Sequence, residues 1–500
     1  MADLRLSLSL SGGASLGAYQ AGASAALLVG LDHLRNEAGV DVRVDAVGGA
    51  SAGAIVGLMT AFAVLEGVDG RDVMRRAWVE RVSIDTLLRQ GSRGPLSLED
   101  VRTGLPDLLR EGKPGGKGQD HPLVLHMALT GLRGLTYDIP GLRRDQPVLG
   151  VTYADWKDFE LEPGRGVQQL LAPGGSSPLE TAMASASHPG AFAPRVIDRT
   201  GDRQEFQNQG LSNLPRSGWL WYTDGGLVQH EPIGRLLSAA KAVDDGRDDA
   251  HRLTLMVHPR SKEPSDAEEW SDPNHDATWA KGLSRGLAVV SEQPLYDDLR
   301  KVDRDNTRLA WVDDLVGAVE PHLAEGALEP LRELLTEIAE NRRERRGGAG
   351  AEVEDPPERN RGAADALRRA LLDIGGLTGK RRQDVDLISP LLIAAHTEDE
   401  VSSLLAGELI GDFGGFLDRE LRESDFALGY ESTLCWAREG LGKCGLPDEA
   451  VAGAAEAVEA GRPRSWQEVR HGQMKERDLP WRARLRLAHF LLRMGRSLMR

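Results

Sequence analysis

Residues 42–59, VRVDAVGGASAGAIVGLM, constrain the chain more than any other stretch. A β-branched run leads into a turn of small residues and then into an apolar helical sequence. At the turn, Gly49-Ala50-Ser51-Ala52-Gly53 fits G-x-S-x-G, the pattern of a nucleophile elbow. A serine exposed on a sharp strand-to-helix turn needs neighbours without bulk, because the flanking backbones pass close together. Gly48, Gly49, Ala50, Ala52, Gly53 and Ala54 meet that requirement. The following helix aims its amino end at Ser51, where free N–H groups favour an oxyanion. A bare G-x-S-x-G also arises by chance in small-residue turns, so the rest of the chain decides its meaning.

Leu4, Leu6, Leu8 and Leu10 alternate with polar residues, which predicts a first strand over 4–10. A loop, Ser11-Gly12-Gly13-Ala14-Ser15-Leu16-Gly17, then opens a helix over 18–31. This is the layout of an anion cradle at a helix amino end. A phosphate P-loop fails, since Ala18-Tyr19 replaces its Lys-Ser/Thr pair. The spacing of Gly12, Gly13 and Gly17 does not supply a dinucleotide fingerprint either. Two options stay open: a tight turn that only packs helix on strand, or an oxyanion hole built from the N–H groups of Gly12, Gly13 and Ala14.

Alternation of strand and helix up to about residue 260 predicts an α/β layered sheet, at least partly parallel. Further strands are expected at 123–132, 150–161, 219–223 and 251–259, with helices at 99–110 and 178–183. The polar stretch 198–217 reads as a hairpin, lid or flexible loop. Asp224-Gly225-Gly226 follows the WLWYT strand, placing a carboxylate at a strand's carboxyl end with small neighbours behind it. His188, His230, His251 and His258 are alternative bases, His230 in the chain order of a Ser-Asp-His triad.

The net charge of −16 argues against broad nucleic-acid binding, which depends on neutralising phosphates. Two cysteines, Cys435 and Cys444, make no disulfide framework and match no zinc spacing. No metal or cofactor is expected. Without a signal peptide or an apolar run long enough to span a bilayer, the expected location is the cytoplasm.

Four segments together resemble the patatin-like phospholipase family, in the family's order: SGGASLGAYQAG at 11–22, GGASAG at 48–53, ASASHPGAFAP at 184–194, and DGG at 224–226 followed by Glu231-Pro232. The resemblance implies a Ser–Asp dyad without a catalytic histidine. Ser51 would be the nucleophile, Asp224 its base, and the amides of Gly12 and Gly13 the oxyanion hole, with Ala14 offering its own N–H. Ala14 stands where many members have a third glycine, Leu16 where they have a basic residue, and His230 where they have an asparagine. The implied activity is cleavage of phospholipid or lysophospholipid esters. A general carboxylesterase or thioesterase with the same dyad is the nearest alternative. A gated effector or binding module, silent until a partner acts, is the alternative of a different class.

The second half reads as helical, with helices near 276–319, 323–343, 363–374 and 386–409. Segment 413–436 is similar to part of a C-terminal extension in bacterial patatin-related proteins. The expected domains are an acyl hydrolase domain at 1–320, a helical connection at 321–340, a flexible linker at 341–362 and a helical region at 363–500. The last segment, 481–500, holds six arginines and no acid. Arg482, Arg486, His489, Arg493, Arg496 and Arg500 form a basic stripe opposite Leu487, Leu491, Met494 and Leu498. Such a helix either meets an anionic membrane surface, as a peripheral contact through 481–500, or docks on the protein.

Overall fold

In the computed structural model, β1 (Asp3–Leu10) is an inner strand, and every residue from Leu4 to Leu10 is buried. The structure describes residues 3–88, 93–139, 148–170, 174–229, 231–244, 250–259, 279–319, 363–375, 377, 380–397, 404–408, 412–471 and 479–498. The leucines of β1 enter the main core with α1 (Gly17–Asn36) and α2 (Ala52–Glu66). Its polar residues face the other way yet are also covered. The period-two pattern therefore separates two covered faces, not a wet face from a dry one.

The sheet runs β5 (Arg195–Asp198), β7 (Trp219–Thr223), β3 (Leu123–Ile139), β2 (Asp41–Gly49), β1, β8 (His251–Val257) and β9 (Asp384–Ile388), with β4 (Val148–Leu161) and β6 (Leu211–Ser212) also paired to β3. Parallel pairs join β1 to β2 (Asp41–Gly49), β1 to β8 (His251–Val257), and β2 to β3 (Leu123–Ile139). β3 pairs antiparallel with β4 (Val148–Leu161), β6 (Leu211–Ser212) and β7 (Trp219–Thr223), and β7 pairs antiparallel with β5 (Arg195–Asp198). Along the chain, α3 (Glu99–Arg110) and α4 (Pro178–Ser185) are followed by α5 (Ile233–Ala240). Leu236 and Ala239 of α5 form their own cluster with Ala46 of β2 and Val124 of β3. An α/β fold with a helical extension results, as the sequence patterning predicts.

Contacts divide the chain into two units, Met1–Tyr296 with Val385–Arg500, and Asp297–Asp384. The sequence boundaries at 320 and 362 thus differ from the contact division, which returns 385–500 to the body of the first unit. The expected connection at 321–340 and linker at 341–362 lie outside the described residues. In the second unit, Leu309, Val312 and Val316 of α6 (Trp279–Val319) pack with Leu367 and Leu372 of α7 (Ala363–Gly375) and with Leu377.

Within the first unit, α8 (Arg419–Glu439) and α9 (Asp448–Ala460) share the main core with α1, and α10 (Trp481–Leu498) ends the described chain. One helical expectation fails: 384–388 is the strand β9 (Asp384–Ile388), next to β8 in the sheet. Its alternation of Val385, Leu387 and Asp386 has strand period, and the His258 N–H donates to Ile388 O at 3.0 Å. The stretch 198–217, read as a hairpin, lid or flexible loop, contains regular structure. It holds a helix at Arg203–Asn208 and strand β6. Arg199, 1% exposed, anchors it to Asp155 at 3.1 Å. Among the described residues one helical stretch, Ala14–Asn36, is long and apolar enough to cross a membrane, and most of it is buried in this core.

Candidate active site

β2 ends at Gly49, and Ser51 stands before α2 with φ 55° and ψ −124°, a backbone state that L-residues rarely adopt. The turn is tight because the chain passes so close to β1. A Cβ on Gly53 would lie 2.4 Å from Leu10 O, and one on Gly49 would lie 2.4 Å from the Gly53 backbone. The small residues of the motif therefore have a steric cause. Two hydrogen bonds fix the turn from outside it: Ala50 N–H donates to Leu10 O at 3.2 Å, and Ser51 N–H to Ser185 Oγ at 3.0 Å. Ser185 Oγ donates in turn to Ala128 O of β3 at 2.7 Å.

Asp224 follows β7, and the structure brings it to the serine across 173 positions of sequence. Ser51 Oγ donates to Asp224 Oδ2 at 2.6 Å. The other carboxylate oxygen accepts the N–H of Gly226 at 2.8 Å, while Gly225 opens the short turn Gly225–Leu227. The Asp224 N–H and the Thr223 hydroxyl both donate to Ser187 O, at 3.1 and 2.8 Å. With Asp224 only 3% exposed, desolvation pushes its carboxyl up to about 6, against the opposing pull of the bonds from Ser51 and Gly226.

Gly12, Gly13 and Ala14 lie after β1, on the side of the elbow. Gly13 has φ 155° and Ala14 φ 41°, and the Leu16 N–H donates back to Gly13 O at 2.7 Å. The loop is braced from both directions. Buried Gln20 donates to Ser11 O at 2.5 Å. Ser15 Oγ donates to Asp412 O and accepts the Gly415 N–H at 3.0 Å, so the C-terminal segment holds this loop too.

Ser51 and Ala14 border a cavity that opens to solvent. Its walls are apolar, with Ile55, Met59, Trp78, Leu105, Phe413 and Phe416 among them. A buried serine–carboxylate pair at the edge of an apolar cavity can activate an oxygen nucleophile and hold a greasy chain beside it.

The histidines fare differently. His188 borders the cavity with its ring 5.9 Å from Phe413, and its Nδ1 accepts the Gly190 N–H at 3.2 Å. His258 Nε2 lies 3.2 Å from buried Glu231. His251 begins β8. His230 lies outside the described residues. Among the described residues Ser51 Oγ bonds to a carboxylate and to no histidine. Sequence reasoning missed Ser185, Ser187 and Ser15, although the block 184–194 marks the neighbourhood of the first two. Among the described residues no group of three or more His, Cys, Asp or Glu side chains is placed to hold a metal ion.

Residues 8–125 match the family model described as Patatin-like phospholipase. The matched span contains the Gly12–Gly13–Ala14 loop and Ser51, and it ends before Asp224. No curated protein matches the sequence.

Proposed function

For a chain that carries a patatin-like phospholipase domain, a lipid acyl hydrolase family, we propose cleavage of phospholipid or lysophospholipid esters by a Ser51–Asp224 dyad. The observation that carries this reading is the 2.6 Å bond from Ser51 Oγ to Asp224 Oδ2 beside the apolar cavity. As Ser51 Oγ attacks the ester carbonyl carbon, its proton passes to Asp224. The carbonyl oxygen becomes an oxyanion, held by the N–H groups of Gly12, Gly13 and Ala14. Collapse breaks the ester C–O bond, and the leaving alkoxide takes the proton from Asp224. An acyl-Ser51 ester remains. Water then attacks it with Asp224 again as base, releasing a fatty acid and restoring the serine.

Apolar walls support an acyl chain as the bound portion of the substrate, leaving the polar head outside the cavity. The test is hydrolysis of a short-chain ester and of mixed bacterial phospholipids by the wild type, Ser51→Ala, Asp224→Asn and His230→Ala. Both dyad variants should lose about a thousandfold or more in kcat/KM, while His230→Ala keeps its rate. Loss in folded His230→Ala would replace the dyad with a triad. A wild type silent on every ester would leave a gated effector, its hydrolase silent until a partner acts, or a binding module.

A further inference from the structure

The two sides of α10 (Trp481–Leu498) do different things. Its inner side is fastened to the body of the first unit. Phe490 is buried and stacks on Phe413, with centroids 6.2 Å apart and planes at 16°, and Phe413 is itself a wall of the apolar cavity. Arg486 donates to Leu417 O at 3.0 Å and pairs with Asp85 at 2.5 Å. Arg493 donates to Leu88 O at 2.8 Å. The basic stripe expected from sequence is therefore split, because two of its arginines turn inward and are consumed by contacts with the protein.

What remains outside is an apolar ridge. Trp481, Leu485 and Leu492 are 67%, 61% and 63% exposed. Their spacing of four and seven residues puts them in one line along the helix. Exposed Arg482, His489 and Arg496 flank that line on one side and Arg484 on the other. Arg482 also lies over the Trp481 ring, 5.4 Å from its centroid. An exposed tryptophan and leucines bordered by arginines are the composition of a helix that lies in a lipid headgroup layer.

We propose that this outer face of α10 seats the protein on an anionic phospholipid bilayer. Charge selects the occupant. The chain as a whole carries −16, whereas 481–500 has no acid and keeps Arg482, Arg484 and Arg496 on its exposed side, so an anionic surface repels the body and attracts this segment. Burying three large apolar side chains in the acyl boundary supplies the part of the attraction that salt does not screen. The use of such a contact rests on the acyl-hydrolase reading above, since the helix on the membrane is also the helix whose Phe490 backs the cavity wall. Membrane binding itself does not require that reading.

The experiment is co-sedimentation of the full-length chain, in a Ser51→Ala background so that the lipid stays intact. The vesicles are phosphatidylcholine alone and phosphatidylcholine mixed with phosphatidylglycerol. Binding should require phosphatidylglycerol and weaken as salt rises. It should fall about tenfold or more in Leu485→Ser/Leu492→Ser and in Arg482→Gln/Arg496→Gln. With Ser51 intact, none of these four positions borders the cavity, so short-chain ester hydrolysis should be unchanged, which also reports an intact fold. Equal binding by the variants, or binding indifferent to phosphatidylglycerol, overturns the proposal. So does a wild type that leaves vesicles unbound while the same substitutions reduce a dimer to monomer, which would make the ridge an interface between two copies. Vesicle binding that follows the ridge in a chain inactive on every ester would keep the membrane contact and remove the hydrolase reading.

Discussion

Ser51, the proposed nucleophile, sits in a strained backbone state. A non-glycine residue at φ 55° and ψ −124° costs on the order of 1–3 kcal/mol, and the surrounding bonds from Ser51 N–H to Ser185 and from Ala50 N–H to Leu10 hold it there. Ser51→Gly should therefore fold more stably than Ser51→Ala by about 1–2 kcal/mol in chemical denaturation, with both inactive. Equal stabilities would mean that the turn is not strained. On the dyad reading, Asp224 sets the pH response. It must be ionised to accept the serine proton, and burial raises it to about 6. On the dyad reading, kcat/KM should climb through pH 6 and level off above about pH 7. A profile flat from pH 5 to pH 8, with chemistry limiting, would remove Asp224 as the base. Ser51 and Asp224 are legible in the sequence because steric crowding forces small residues around them. Ser185 and Ser187 are not legible, since a serine's role in bracing a distant amide leaves no local pattern.

Helix against helix, the C-terminal region is joined to the sheet domain by an unusually close crossing. A Cβ on Gly22 of α1 would sit 1.9 Å from Phe426 O, and one on Gly429 of α8 would sit 1.9 Å from Tyr19 O. The two backbones touch because both helices lack side chains there, and Thr433 adds a bond to Ala23 O at 3.3 Å. Gly22→Ala gains helix propensity but forces the pair apart, so overpacking decides the sign. Its unfolding free energy should drop by about 1–3 kcal/mol in denaturant titration. No loss would mean that the helices separate freely. At this scale the sequence gives a helical region over 363–500, but neither the helices at 419–439 and 448–460 nor their partner, because helical periodicity says which face is apolar and nothing about what covers it. β9 was hidden for a related reason: five residues carry too little period to outweigh the helical stretches on either side. Which of hairpin, lid or flexible loop describes 198–217 is not legible in the sequence, because its anchor, the pair of Arg199 with Asp155, joins residues far apart in the chain.

At the scale of the molecule, three fully buried carboxyls among the described residues have raised pKa values: Asp224 to about 6, Asp425 to about 7 and Glu231 to about 8. Burial is the first cause in each. The Ala406 and Gly407 amides oppose it at Asp425, and Glu231 has His258 Nε2 within 3.2 Å. In the unfolded chain all three ionise near pH 4, so between about pH 4 and 8 the native state binds more protons than the unfolded one. The stability they confer is full below pH 4 and is lost as pH rises through 6, 7 and 8. Lowered carboxyls such as Asp72, paired with Arg76 and Lys113, act in the opposite direction, and their contribution disappears only below the ordinary carboxylate range. Repulsion within a chain of −16 further disfavours the alkaline side. Maximum stability should therefore fall between about pH 4 and 6, with the denaturation midpoint declining steadily to pH 9. Asp224→Asn isolates one contribution. Moving that carboxyl from 3.8 to about 6 corresponds to roughly 3 kcal/mol, so the variant should gain up to about that much at pH 8 and nothing at pH 4. Parallel wild-type and variant curves across this range would show that Asp224 is not held up by the fold. A pair that meets at pH 4 and separates as pH rises would show that ionised Asp224 destabilises the native state over the same pH interval in which, on the dyad reading, it becomes able to take the serine proton.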